Sequence, residues 1–200
     1  MLIANHITCI RSERTLFEDL TIQLLPGNIF QIVGENGAGK SSLLRILVGL
    51  LKPTSGEVIW NRQSIERNSI HYHQSLFYLG HATGIKQDLT VHENIIYSLN
   101  RVVYTATDLQ FVLQMWSLTA FEHVICRRLS QGQRQRVALA ILTLSRKQLW
   151  FLDEPFSSLD IEGTSYLLQL FQQHSTTGGS IVFTTHRSLE WDGYMSTVSL

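Results

Sequence analysis

Two strand-like stretches open the chain, at residues 2–10 and 20–25, and the charged residues Arg11, Glu13 and Arg14 predict the turn that joins them. Pro26-Gly27 marks a second turn, after which residues 29–33 are a short apolar run of the kind that forms a buried strand. Leu43, Leu44, Leu47, Val48 and Leu51 recur at helical spacing, so a helix is expected over 41–51, ended by Pro53, Ser55 and Gly56. Residues 57–60 then predict an edge strand, and 76–79 a further apolar strand leading into a loop at 80–84.

From about residue 89 to 144 strand patterning is lost, and helical periodicity takes over at 91–99, 108–115 and 131–144. This stretch reads as a helical insert, about residues 85–145. Strands return at 149–152 and 180–185, with a helix over about 162–174 between them. Strands alternating with helices imply an α/β fold whose mostly parallel sheet is covered on both faces. No internal repeat, low-complexity tract or long linker divides residues 1–200, so a single domain is expected.

Composition narrows the setting. An apolar content of 44% is enough for a substantial core. Sixteen basic residues balance sixteen acidic ones, leaving no long-range field to draw the chain onto nucleic acid or an anionic bilayer. No apolar run approaches the length of a membrane span, so membrane contact must come through partners. The first residues carry charge after only a short apolar segment and do not read as a secretory signal, which places the chain in the cytoplasm. Cys9 and Cys126 stand far apart with no C-x-x-C pair, and are expected to be reduced thiols.

The chemistry begins at Gly34-Glu35-Asn36-Gly37-Ala38-Gly39-Lys40-Ser41, which matches G-x-x-x-x-G-K-[ST] between an expected strand and an expected helix. Glycines let the backbone wrap a phosphate, and the helix that follows presents its positive end to the anion. Lys40 adds a point charge against the outer phosphates, and Ser41 a hydroxyl ligand for magnesium. The plainer alternative is a glycine-rich turn before a helix. Leu149-Trp150-Phe151-Leu152-Asp153-Glu154 is an apolar strand ending in two carboxylates. Asp153 would hold magnesium through water, and Glu154 would orient and deprotonate an attacking water. A strand that merely happens to end in acids before Pro155 is the competing reading, weakened by the phosphate loop upstream.

Leu129-Ser130-Gln131-Gly132-Gln133 resembles the L-S-G-G-Q signature of ABC ATPases, with Gln131 in place of the first glycine. Ser130 and the Gly132 backbone can donate to a terminal phosphate from the start of a helix, although Ser130 can also serve only as a helix N-cap. Its position 23 residues before Asp153 favours the phosphate role. Ser158-Leu159-Asp160 matches the family's D-loop, and His186, after a strand ending in Thr184-Thr185, its switch histidine. Five motifs in order make the chain similar to the ATP-binding subunits of ABC transporters over almost its whole length. The resemblance implies a phosphate-loop, ABC-type nucleotide-binding domain with a mostly parallel central sheet, an antiparallel β edge and a helical subdomain. It also implies ATP and Mg2+ as ligands, and Glu154 and His186 as catalytic residues. Nucleotide contacts would come from residues 34–41, Ser42, His81, Ser130, Gly132, Gln133 and Asp160. Finally, it implies a head-to-tail pair, either a homodimer or a pairing with a similar subunit, in which Ser130 of one copy completes the site around Lys40 of the other.

Two positions depart from the family. His81 stands where a glutamine linking nucleotide to the membrane subunit is expected, and Arg11 where an aromatic stacks on adenine. Arg11 either stacks on the base or is a solvated turn residue. The segments Arg14-Thr15-Leu16-Phe17, Tyr72-His73-Gln74-Ser75-Leu76, Gly80-His81, Gly84-Ile85-Lys86 and 149–156 with Trp150 resemble the ATP-binding subunit of the haem-exporter complex of cytochrome c maturation in Gram-negative bacteria. That resemblance implies integral membrane permease partners, a peripheral place on the cytoplasmic face of the inner membrane, and ATP hydrolysis that releases a haem-loaded chaperone. The alternatives are the ATPase of another small exporter, or a soluble ABC protein of ribosomes or DNA. The last usually needs paired cassettes or long arms that 200 residues do not hold. His71-Tyr72-His73 would direct both rings to one face for a haem only in a strand, and there is no C-x-x-C-H. Arg127, Arg128, Arg134 and Arg136 form the densest basic cluster, a nucleic-acid patch in isolation but a dimer seam or solvent face beside this signature.

Overall fold

The structure, a computed structural model, describes residues 1–99, 102–186 and 195–200. It divides into two compact units, Met1–Gly80 with Lys147–Pro155 and Gln173–Leu200, and His81–Arg146 with Phe156–Gln172. The first unit contains β1 (Leu2–Arg11), β2 (Arg14–Leu24), β3 (Ile29–Val33), α1 (Lys40–Leu47), β4 (Ser55–Trp60), β5 (Gln63–Ser64), α2 (Ser69–Ser75), β6 (Leu76–Leu79), β7 (Leu149–Leu152), β8 (Ser180–Thr185) and β9 (Met195–Ser199). The second contains α3 (Val91–Ser98), α4 (Ala106–Met115) and α5 (Gln131–Leu144), and α6 (Ile161–Thr176) crosses the boundary between the two.

An antiparallel sheet has the order β2-β1-β4-β5, and a wholly parallel one the order β6-β7-β8-β3-β9. β7 and β8 are buried almost end to end, as strands covered on both faces must be, and their sequences are correspondingly apolar. The mixed α/β fold with a parallel sheet, an antiparallel sheet and helices agrees with expectation. Both cysteines are free and buried. Among the described residues, no helix is long and apolar enough to cross a membrane.

Several boundaries differ for identifiable reasons. β2 begins at Arg14 rather than at residue 20, because Arg11 pairs directly with Arg14. Only Ser12 and Glu13 turn the chain, at φ 47° and 62°, the doubly left-handed backbone that suits a tight hairpin. Residues 14–19 belong to the strand by backbone pairing, and their largely exposed side chains gave no apolar alternation to read. β4 is not an edge strand, since β5 pairs on its far side.

α1 stops at Leu47 rather than at residue 51. The Leu50 amide bonds the Arg45 carbonyl at 2.8 Å and the Gly49 amide bonds that of Ile46 at 3.0 Å, closing the helix end. Further carbonyls there are met from α2, a helix the apolar pattern did not reveal because only Tyr72 in it is buried. Tyr72 Oη donates to Leu47 O at 2.6 Å, and His73 Nε2 lies 3.0 Å from Val48 O. Burial pushes the Tyr72 phenol far up, so it stays a donor. His71 and His73 therefore sit on a helix, two residues apart, and do not share a face. β9, rich in Ser and Thr and half-exposed at the edge of its sheet, also escaped the apolar pattern.

In the second unit each of the three helices begins with a reciprocal cap, Thr90 with Glu93, Thr105 with Asp108 and Ser130 with Gln133. α3 and α4 both pack on α5, whose residues 137–142 are all buried. Trp116 Nε1 donates to Thr143 Oγ1 at 3.1 Å along this contact. Buried Asn94 pins the preceding loop, accepting from Lys86 N at 2.8 Å and donating to the carbonyls of Lys86 and Thr90.

In the first unit the His174 ring stacks on Trp150, with centroids 3.6 Å apart and planes 8° from parallel, and its Nε2 meets Gln148 O at 3.1 Å. Burial lowers its pKa from the usual 6.5 to about 4. The folded state thus binds fewer protons than the unfolded one, so this contribution to stability is full above pH 6.5 and is lost as pH falls towards about 4. Thermal melts should show a drop in Tm across that window that is smaller in His174→Phe, which stacks without titrating. An equal drop in the variant would show that other groups carry the acid sensitivity.

Candidate nucleotide site

The first unit assembles its site where parallel strands end. β3 leads into the loop 34–39, and α1 leaves it. Gly39 caps α1 at φ 109°, where a Cβ would stand 3.0 Å from that of Leu16, so no other residue fits the turn comfortably. No side chain caps α1, and no acid stands in its first turn, so its positive end is open to an anion. Lys40 is buried, and its Nζ donates to Gly34 O at 2.7 Å and Glu35 O at 2.9 Å, drawing the loop around the ammonium. The same Nζ lies 3.4 Å from His186 Nδ1, and His186 Nε2 lies 2.9 Å from Glu154 Oε1. Lysine, histidine and glutamate thus stand in a row.

β7 places the carboxylates. The Asp153 amide continues the strand ladder to Leu79 O at 2.7 Å, so the side chain is fixed at the strand end. Asp153 is only 4% exposed; its Oδ1 accepts from Thr184 Oγ1 at 2.7 Å, while Oδ2 is buried with no partner among the described residues. An orphaned buried carboxylate oxygen is costly unless something fills the gap, and a metal-bound water would. Among the described residues no group of three or more His, Cys, Asp and Glu could hold a metal alone. One carboxylate beside the Ser41 hydroxyl and a phosphate ligand is instead the way Mg2+ is usually held. The residues present therefore fit Mg2+ arriving with a nucleotide.

A cleft of about 180 Å³ is lined by Leu16, residues 35–37 and 39–42, and Glu154. It collects Ser42, Glu154 and the phosphate-loop positions other than Gly34 and Ala38 on one surface. Leu16, on β2, was not singled out as a site residue from the sequence, and neither was Thr184. A much larger cleft of about 920 Å³, lined by residues 51–53, 56–59 and 62–67 among others, carries none of this chemistry. Arg11 donates to Lys52 O at 2.9 Å at the exposed end of β1.

The remaining expected residues lie in the second unit. Ser130 Oγ accepts from Gln133 N at 3.1 Å, and Gln133 Oε1 accepts from Ser130 N at 2.8 Å. α5's own ladder starts with Arg134 N on Ser130 O, so the box leaves the Gln131 and Gly132 amides and the Ser130 hydroxyl proton for another acceptor. The N-cap role of Ser130 is real, and it leaves the phosphate role open. A Cβ on Gly132 would stand 2.8 Å from Ser158 O, so the signature and the D-loop touch. Arg136 Nη2 meets Asp160 Oδ2 at 2.6 Å, and Asp160 Oδ1 accepts from Gly163 N at 2.9 Å, capping α6. The Gly163 amide first, and Arg136 second, hold the Asp160 carboxyl below its usual range. Three of the four clustered arginines are engaged within the unit: Arg127 with Asp88, Arg134 with Leu129 O, and Arg136 with Asp160. His81 is exposed at the start of this unit.

Residues 17–157 match the family model described as ABC transporter. The cytochrome c biogenesis ATP-binding export protein CcmA of Shewanella frigidimarina is 44% identical, covering 94% of this chain and 88% of its own length. Its counterpart in Escherichia coli K12 is 45% identical over 94% of this chain and 90% of its own length. That of Yersinia pestis is 47% identical over 94% and 87%. Among solved structures, a putative ABC transporter ATP-binding protein from Pyrococcus furiosus superposes with TM-score 0.84 at 21% identity, covering all of this chain and 96% of that one. The ATP-binding cassette MJ0796, dimeric and bound to ADP and Pi, gives TM-score 0.81 at 23% identity over 94% of this chain and 88% of its own. The chain belongs to the ABC transporter family, among the cytochrome c biogenesis ATP-binding export proteins.

Proposed function

We propose that this protein is the ATP-hydrolysing subunit of the transporter that serves cytochrome c biogenesis, and that its turnover drives haem handling through integral membrane partners at the cytoplasmic face of the inner membrane. The observation that carries the ATPase reading is the single constellation of Lys40, His186, Glu154 and the unpartnered Asp153 Oδ2 beside the phosphate loop. The cytochrome c assignment is supported by relatives that bear that name at 42–47% identity.

Loop amides and the open end of α1 bind the phosphates, and Lys40 exchanges its loop carbonyls for the outer phosphate oxygens. Ser41 and, through water, Asp153 would hold Mg2+, which when bound neutralises charge on those oxygens. Glu154 accepts a proton from the attacking water as its oxygen bonds to the terminal phosphorus and the bond to ADP breaks. His186, reaching Glu154 with one nitrogen and the Lys40 side with the other, orients the carboxylate and meets the terminal phosphate. Ser130, with the Gly132 amide and Gln133, serves the nucleotide held by a second copy, and Asp160 stands at the same seam. His81 faces the membrane partner in the place of the usual glutamine.

Glu154→Gln should keep ATP binding and lose turnover by about 100-fold or more, because the water is then misplaced and its proton has no acceptor. Near-normal hydrolysis would remove Glu154 from that role. Ser130→Arg should abolish hydrolysis in a homodimer, and mixing it with Lys40→Ala should restore part of it through one intact hybrid site. Full activity of Ser130→Arg alone would sink the shared-site arrangement. Affinity purification from membranes should recover small integral membrane proteins of haem handling; recovery of ribosomes instead would overturn the transport assignment.

A further inference from the structure

Thr184 is fully buried on β8, two residues before His186. Its hydroxyl does two things at once. It donates its only proton to Asp153 Oδ1 at 2.7 Å and accepts from the Glu154 amide at 2.8 Å. The first bond fixes the rotation of the Asp153 carboxylate, and so decides that Oδ2 is the oxygen left without a partner. The second holds the backbone of Glu154, which sits at φ 50°, a left-handed conformation that a non-glycine residue keeps only when its surroundings hold it there. The Glu154 carboxylate then meets His186, on the chain just beyond the same strand, at 2.9 Å. One side chain thus ties the metal-side carboxylate, the water-side carboxylate and the strand of the switch histidine together.

We infer that Thr184 is a positioning residue for phosphoryl transfer, aiming Asp153 Oδ2 at the metal-bound water and Glu154 at the attacking water. The inference rests on the ATPase reading above and adds to it. Valine has nearly the same shape but neither bond, and would leave a buried carboxylate oxygen and a backbone amide unsatisfied. Groups that orient metal ligands from behind change metal affinity or activity by about 10- to 100-fold when removed.

The decisive comparison uses the full chain with Thr184→Ser and Thr184→Ala, which lose the same methyl and differ only in the hydroxyl, with Thr184→Val as the isostere. Three readouts are needed: thermal melting, binding of a fluorescent ATP analogue titrated with Mg2+, and steady-state hydrolysis. Thr184→Ser should hydrolyse ATP within about threefold of the unaltered protein, whereas Ala and Val should lose about tenfold or more in kcat with KM little changed. Ala and Val should also need about tenfold more Mg2+ for half-maximal nucleotide binding, with binding in EDTA unchanged. Equal kcat and equal Mg2+ midpoints for Ser and Ala would overturn the inference. So would a hydroxyl needed only for folding, seen as Ala and Val failing to melt cooperatively while Ser does. If the unaltered chain shows no Mg2+-dependent nucleotide binding, the ATPase reading falls as well; if it binds normally and Ser and Ala still agree, only the role of Thr184 falls.

Discussion

A carboxylate is set at the buried end of an apolar strand with one oxygen lacking a partner among the described residues, and the neighbouring strands are arranged around it. Asp153 follows a strand whose four residues are all buried. Its backbone is held by Leu79, one oxygen by Thr184, and the other by nothing among the described residues. A buried polar oxygen left without a partner is tolerated when a cation or its water completes the shell. The parallel strand order sets this up, because β7 and β8 are neighbours in register, with Leu152 opposite Phe183 and Asp153 beside Thr184.

The same economy governs the cation. Lys40 is buried and satisfied by two carbonyls of its own loop, so it needs no counter-ion to hold the loop closed. It is also near His186, which links to Glu154, so the groups that would meet phosphate are spaced along one line rather than collapsed into a direct lysine–glutamate pair. A direct pair would neutralise both groups before substrate arrived.

Most strands and the long helices were legible because burial on both faces writes an unbroken apolar run and burial on one face writes a period. β3, β7, β8 and α5 lie where those patterns placed them. Elements held by backbone pairing or by polar side chains left no such trace: the outer half of β2, the two-residue β5, α2 with its single buried tyrosine, and the Ser- and Thr-rich β9. The candidate site was legible wherever a motif has fixed spacing, as from Gly34 to Ser41 and at Asp153-Glu154. Thr184 and Leu16 were not, because their contribution depends on which strand lies beside which. A threonine within a buried apolar strand is nevertheless a signal, since its hydroxyl must find a partner there.

The reciprocal cap of Ser130 and Gln133 has an entropic side. The first turn of α5 is closed by its own side chains, and the Gln131 and Gly132 amides are already fixed in direction before any anion arrives. Were a phosphate to meet that end, no backbone freedom would have to be surrendered, and none would be regained on its leaving. On the proposed reading the signature end of the helix would engage and release as a rigid body, with the free-energy change of each cycle residing in electrostatics and desolvation rather than in ordering and melting of the chain.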